Sequence, residues 1–198
     1  LYKNQKYHYI IITARANQSR YAYIAKSKLT KKHAKQKPIP LSSKNVAQLC
    51  NNLIDQPYGW GGLFNNRDCS AMIRDLFSPF SLWLPRNSKA QAKNGGTYID
   101  VSFMSQEDKE KFIIDNAIPY ATLLWFPGHI MLYIGQQNNK SLIFHNIWGL
   151  RTNDKLKRKI IGKAVITTLK PGEELNNVDK SYNFLNRIEG MTLLTHRY

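Results

Sequence analysis

Apolar residues recur at helical spacing in several segments of the first half of the chain. After Ser43, the predicted N-cap, a buried stripe at i, i+3, i+4, i+7 and i+8 predicts a helix over 44–55. Further helices are predicted over 68–77, over 88–93 behind Asn87, and from 105 to about 116. The first stripe consists of Val46, Leu49, Cys50, Leu53 and Ile54.

The second half of the chain changes to short runs rich in β-branched and aromatic residues, which predict strands. Because helices come first and clustered strands follow, the pattern predicts an α+β fold with N-terminal helices packed on an antiparallel sheet. The predicted strands lie near 121–126, 130–135, 141–147, 163–169 and 191–196.

Residues 7–14 and 21–27 also have strand character, and the turn-forming residues 17–20 between them predict a hairpin. The basic stretch that follows is rich in Pro and Ser and predicts a linker. The chain is therefore expected to consist of a β-hairpin (1–29), a linker (30–43) and a main domain (44–198).

The composition is strongly basic, with 29 Lys and Arg against 13 Asp and Glu and a formal net charge of +16. A positive field of this size attracts polyanions such as nucleic acid, anionic membranes or anionic cell-wall polymers. CxxC, HExxH and GxxxxGK[ST] motifs are absent from the sequence, so we expect no metal and no cofactor. The sequence shows no transmembrane segment and no export signal, although a chain that begins with Leu1 is consistent with processing.

The sequence contains two cysteines, Cys50 and Cys69, in different local settings. Cys69 lies in the first turn of its predicted helix, where free amides stabilise an anion and lower a thiol pKa. A buried core cysteine is the alternative for Cys69, because it shares a face with apolar residues. Cys50 lies within a helix on the apolar stripe and is expected to be core packing.

Among the five histidines, His129 and His145 lie in neighbouring predicted strands. If these strands are antiparallel neighbours, the two imidazoles can lie together on one face of the sheet. Either histidine alone would be an ordinary sheet residue. Together with Cys69 they supply a nucleophile, a base and a group that orients the base, as acyl transfer requires.

Five segments in order resemble motifs of the NlpC/P60 family of cell-wall cysteine peptidases. The resemblance covers about 58–149. Within the family, these segments are similar to members that carry bacterial SH3-like domains before the catalytic domain. The N-terminal hairpin would then represent the last strands of such a domain. The resemblance implies a papain-like α+β fold. The segments are Tyr58–Gly62 (YGWGG), Asp68–Ser70 (DCS), Leu84–Ser88 (LPRNS) with Gln91, Gly128–Gly135 (GHIMLYIG) and His145.

The resemblance implies hydrolysis of an amide in peptidoglycan stem peptides, usually between γ-D-glutamate and a diamino acid. In this interpretation Cys69 is the nucleophile, His129 is the general base and acid, and His145 orients His129. The Cys69 amide and the Tyr58 hydroxyl are candidates to stabilise the oxyanion.

The same resemblance implies that Asp68 and Ser70 bind the free amine of the stem peptide. Arg86 is a candidate to pair with a substrate carboxylate, and a solvated surface arginine is its alternative. The expected partners are peptidoglycan stem peptides and anionic wall polymers, and the expected location is the cell envelope, either periplasmic or secreted.

Other functions remain open at this point. A non-catalytic wall-binding module would keep the cleft without turnover, and an amidase, transpeptidase or acyltransferase would use the same Cys–His pair. A nucleic-acid-binding protein is suggested by the charge, but no RNP-like, helix-turn-helix or zinc-finger pattern accompanies it, so no specific nucleic acid is expected.

Overall fold

The computed structural model describes Leu1 and residues 3–194 of the chain. The chain divides into two compact units, one comprising Leu1–Ile39 and the other beginning at Pro40. The predicted division at 29/30 and 43/44 stays a prediction.

The first unit is a small antiparallel sheet of three strands, β1 (Lys3–Asn4), β2 (His8–Ala16) and β3 (Ala22–Thr30). β2 and β3 form the hairpin that the sequence predicts, and the turn between them is closed by a hydrogen bond from the Tyr21 amide to Asn17 Oδ1 at 2.9 Å. Three strands do not define a barrel, so the SH3-like identity of this unit stays a prediction.

Five α-helices occur in the described part of the second unit, and a polar side chain caps the N-terminus of each. Ser42, and not Ser43, caps the first helix, because Ser42 is extended and its hydroxyl accepts from the Asn45 amide. No helix in the described residues is long and apolar enough to cross a membrane. The helices are α1 (Ser43–Leu53), α2 (Cys69–Phe77), α3 (Ser88–Asn94), α4 (Gln106–Asn116) and α5 (Phe184–Arg187).

A six-stranded antiparallel sheet with the order β4-β9-β5-β6-β7-β8 forms the other layer of the second unit. The predicted α+β fold is confirmed, although β4 was not among the predicted strands. The last predicted strand extends to His196, which lies outside the described residues. The strands are β4 (Thr97–Asp100), β5 (Thr122–Phe126), β6 (His129–Gln137), β7 (Lys140–Arg151), β8 (Arg158–Thr168) and β9 (Gly190–Leu193).

Helix α2 packs on β6 and β7, and this contact positions the candidate site. Four of its apolar side chains are almost completely buried: Met72, Ile73, Leu76 and Phe77. Burial of each such side chain contributes about 1.5–3 kcal/mol relative to exposure. The start of α2 is therefore held against the sheet near the beginning of β6.

Candidate active site

Cys69 is the first residue of α2, directly after the N-cap Asp68. Asp68 Oδ1 accepts a hydrogen bond from the Ala71 amide at 2.8 Å, which fixes the first turn of the helix. The amides of Ile130, Ser70 and Cys69 itself favour the thiolate form of Cys69. The hydrogen bond with the Ile130 amide places the Cys69 sulfur at the residue that follows His129 in the chain.

Burial changes the expected ionisation of Cys69. The side chain lies in the interior, and this burial raises the pKa of the thiol to about 11, with the charge of Asp68 adding to the effect. The three amides lower the pKa by less than burial raises it. The expectation of a depressed thiol pKa at this helix terminus is therefore wrong, and Cys69 is protonated at neutral pH.

His129 and His145 are both buried and lie in the adjacent strands β6 and β7. His129 Nε2 lies 3.0 Å from His145 Nδ1. The other ring nitrogen of His145, Nε2, lies 3.1 Å from the hydroxyl oxygen of Thr167 in β8. A hydrogen-bonded chain thus runs from His129 through His145 to Thr167.

The direction of this chain follows from the hydroxyl proton of Thr167. Thr167 Oγ1 donates to the carbonyl of Thr168 at 2.9 Å, so it accepts from His145 Nε2–H. In neutral His145 the Nδ1 atom is then an acceptor, and His129 Nε2–H donates to it. This tautomer leaves His129 Nδ1 without a proton and able to act as a base.

Both imidazoles are neutral in this environment. Burial, assisted by the charge of Arg187, lowers the pKa of His129 to about 3. Burial and the neighbouring His129 also lower the pKa of His145 well below its usual value. Together with the protonated thiol, this gives a resting site without an ion pair.

An aromatic cleft opens beside His129, with Tyr58, Trp60 and Trp148 among its lining residues. The Tyr58 ring lies 5.2 Å from the Trp60 ring and 6.2 Å from the Trp148 ring, measured between centroids. Burial and the nearby Cys69 raise the pKa of Tyr58, so its hydroxyl remains a hydrogen-bond donor. Tyr58 therefore lies near Cys69 and retains a proton to donate.

Asp68, Ser70 and Arg86 form one hydrogen-bonded cluster at the start of α2. The Arg86 guanidinium donates to Asp68 Oδ2 at 2.6 Å, to Asp68 Oδ1 at 3.0 Å and to Ser70 Oγ at 2.9 Å. Burial raises the pKa of Asp68, but the hydrogen bonds from Arg86, the Ala71 amide and Ser70 outweigh it and leave the pKa lowered. In this structure the fork of Arg86 is occupied by Asp68.

Gln91 connects two segments of the resemblance, its own and the one that contains Cys69. Its side chain is completely buried, and Nε2 donates to the carbonyls of Ser70 and Pro85, both at 2.8 Å. This amide holds α3 against the first turn of α2 and against the loop that carries Arg86. A structural role for Gln91 follows from these contacts.

The remaining cysteine and histidines lie elsewhere. Cys50 is buried in α1, and burial raises its pKa to about 12. His8 lies in β2 and His33 follows β3, both in the first unit, and His196 lies outside the described residues. Thr167 is the one residue of the hydrogen-bonded chain that sequence reasoning missed, because a threonine in a β-rich segment carries no distinguishing signal.

Comparison with known proteins identifies the relatives of this chain. It matches an NlpC/P60 endopeptidase from Photobacterium damselae subsp. piscicida at 27% identity and a TM-score of 0.79, covering 93% of this chain and 46% of that one. A Bacillus cereus NlpC/P60 family protein matches at 14% identity and a TM-score of 0.55, covering 96% of this chain and 51% of the other. The chain thus spans about half the length of each of these relatives.

A search of curated proteins found no significant match. The NlpC/P60 family profile matches residues 55–166, which is more than half of the sequence and includes Tyr58, Cys69, His129 and His145. The chain therefore belongs to the NlpC/P60 family.

Proposed function

We propose that this protein is a cysteine peptidase that hydrolyses an amide bond in peptidoglycan stem peptides. One observation carries the proposal: the Cys69 sulfur is hydrogen-bonded to the amide of Ile130, the residue that follows His129 in β6, and the tautomer of His129 leaves its Nδ1 free. The similarity to a protein described as an endopeptidase supports the same reaction class. The resemblance of the motifs points to the γ-D-glutamyl–diamino acid bond.

The first step starts from a neutral pair. As Cys69 Sγ attacks the γ-glutamyl carbonyl, its proton moves to His129 Nδ1 and the carbonyl electrons move to oxygen. The imidazolium that forms is stabilised because His129 Nε2–H already donates to His145, which in turn donates to Thr167. No resting ion pair is needed in this mechanism.

The oxyanion then requires donors that are already in place. The Cys69 amide lies at the N-terminus of α2, where amides lack a partner within the helix, and the Tyr58 hydroxyl keeps its proton. When the tetrahedral intermediate collapses, the C–N bond breaks and His129 protonates the leaving amine. Water, deprotonated by His129, hydrolyses the thioester and regenerates the Cys69 thiol.

Substrate orientation is assigned to the cluster at the start of α2. Asp68 is anionic at neutral pH and is partly buried, so it can pair with the free amine at the N-terminal end of a stem peptide. Ser70 contributes a hydroxyl, and Arg86 holds both side chains in position. In this proposal Arg86 acts through Asp68 and Ser70 and does not itself pair with a substrate carboxylate.

The proposed place of action is the cell envelope, where the substrate is found. The net charge of +16 favours association with anionic wall polymers over long distances. This attraction is independent of the peptidase site and should weaken as salt is added.

A non-catalytic wall-binding module is the second candidate, and the burial and raised pKa of Cys69 favour it. Mass spectrometry of purified muropeptides after incubation separates the possibilities. A peptidase yields free γ-D-glutamyl carboxyl ends and free diamino acid amines. An acyltransferase yields the corresponding product only when an acceptor amine is added, and a binding module retains peptidoglycan without any change in mass.

A further inference from the structure

Two arginines line the same cleft as His129: Arg187, the last residue of α5, and Arg158, the first residue of β8. Arg187 is partly buried, and its guanidinium lies over the ring of Phe126 at 3.9 Å. The Phe126 ring also lies 5.4 Å from the His129 ring, measured between centroids. One aromatic side chain thus contacts both the proposed base and this arginine.

Neither Arg187 nor Arg158 has a carboxylate partner within the described residues. The polar contacts of the two guanidinium groups are with the Pro127 carbonyl at 3.5 Å and the Gly149 carbonyl at 3.4 Å. Nearby Arg151 differs, because it forms an ion pair with Asp179 at 2.6 Å. No carboxylate of the described residues therefore pairs with either arginine, and the charge of Arg187 is partly removed from water.

The charge of Arg187 has an electrostatic consequence. Burial lowers the pKa of Arg187 and repulsion from Arg158 and Arg151 adds to this effect, while Tyr182, whose ring lies 4.1 Å from the guanidinium, opposes it. An anion bound between Arg187 and Arg158 would relieve this repulsion and restore the lost solvation. The planar forks of two arginines are suited to a carboxylate.

The position of the arginines decides which part of the substrate they face. In the proposed function the amine end of the stem peptide binds at Asp68 and Ser70, neither of which lines this cleft in the structure. His129, which does line it, protonates the nitrogen of the leaving residue. Groups next to His129 in the cleft are therefore placed beside the residue that leaves.

We propose that Arg187 and Arg158 form a subsite for a carboxylate carried by the leaving diamino acid. This inference rests on the proposed function and adds a selectivity to it. The carboxylate is either the α-carboxylate of the diamino acid or the carboxylate on its side chain, and the choice between them depends on the peptide tested.

Three tripeptides of the form L-Ala-γ-D-Glu-X separate these sources. X is L-Lys with a free α-carboxylate, L-Lys with an α-carboxamide, or meso-diaminopimelate with an α-carboxamide, which carries only the side-chain carboxylate. We expect the wild-type protein to prefer one of the two carboxylate peptides over L-Lys carboxamide by about tenfold or more in kcat/KM, as for a hydrogen bond between charged groups.

The variants Arg187→Gln and Arg158→Gln should reduce this preference, measured as the ratio of the two kcat/KM values, towards one. Because Arg158 is exposed, its replacement is compatible with folding even if that of Arg187 is not. Lys159→Gln is the matched control, since it removes one positive charge from the adjacent position of β8 and does not line the cleft. It should keep the full preference.

The assignment of the subsite is wrong if the wild-type protein cleaves all three peptides equally well. It is also wrong if the arginine variants keep the preference for a carboxylate peptide. If the wild-type protein cleaves none of the three peptides, the proposed function fails. The subsite is then tested separately by calorimetry, which measures binding of the three peptides to the Cys69→Ala protein. Tighter binding of a carboxylate peptide that is lost on adding Arg187→Gln would support the subsite, and equal binding of all three would overturn it.

Discussion

His129 Nε2 lies 3.0 Å from His145 Nδ1, and both rings are buried. Because the other nitrogen of His145 donates to Thr167, this contact carries the proton of His129 Nε2 and leaves His129 Nδ1 as the basic atom. The tautomer of the proposed base is thus fixed by a residue two strands away.

Thr167 is expected to act as a positioning residue. Replacing it by Val keeps the shape of the side chain but removes the acceptor for His145 Nε2–H, so kcat/KM should fall roughly tenfold, as for other groups that orient a functional histidine. Thr167→Ser should restore most of the activity because it returns the hydroxyl. A Val variant with wild-type kcat/KM and an unchanged pH profile would show that the hydroxyl does not set the tautomer.

His145 should matter more than Thr167, because it contacts the proposed base directly. We expect His145→Ala to lower kcat about 10-fold to 100-fold. His145→Asn should retain more activity, since its amide oxygen can accept from His129 Nε2–H. His33→Ala is the control, because His33 is exposed in the first unit. Equal losses in the Ala and Asn variants would argue against a hydrogen-bonding role.

The pH dependence of kcat/KM follows from the shifted pKa values of His129 and Cys69. His129 accepts a proton only when neutral, and its pKa is lowered to about 3, so activity should persist well below the usual histidine pKa. The Cys69 proton is needed for the leaving amine, and the thiol pKa is raised to about 11. Activity should therefore fall only at high pH, as the thiol loses its proton. A plateau from about pH 5 to about pH 9 is expected, whereas an acid limb centred near an ordinary histidine pKa would contradict a buried, neutral base.

Asp68 should contribute a pH-dependent part of the stability. Its folded-state pKa is lowered, so the stabilisation is present above its unfolded pKa of about 3.9 and is lost as the pH falls through the folded value. Asp68→Asn retains a capping side chain but loses the charge, and it should cost about 1 kcal/mol at neutral pH, because Arg86 is largely solvated. Urea unfolding of both proteins should show this difference shrinking at low pH; a constant difference would exclude the ion pair as its source.

Local chemistry explains what was predictable from the sequence. Asp68 could be placed at the start of α2 because capping depends on neighbouring residues, and the strands of His129 and His145 follow from apolar runs. Thr167 could not be placed, because its approach to His145 depends on the β7–β8 register, in which His145 pairs with Val165. The pKa of Cys69 was also out of reach, since it depends on how closely α2 packs on β6.

The most direct test of the account is the release of the diamino acid from L-Ala-γ-D-Glu-diamino acid by the wild-type, Cys69→Ala and Cys50→Ala proteins. We expect Cys69→Ala to fold and to show no turnover above background, because the thioester cannot form. Cys50→Ala should stay active and lose about 1 kcal/mol of unfolding free energy through a small cavity in α1. An active Cys69→Ala protein beside an inactive, folded Cys50→Ala protein would contradict the assignment of the nucleophile.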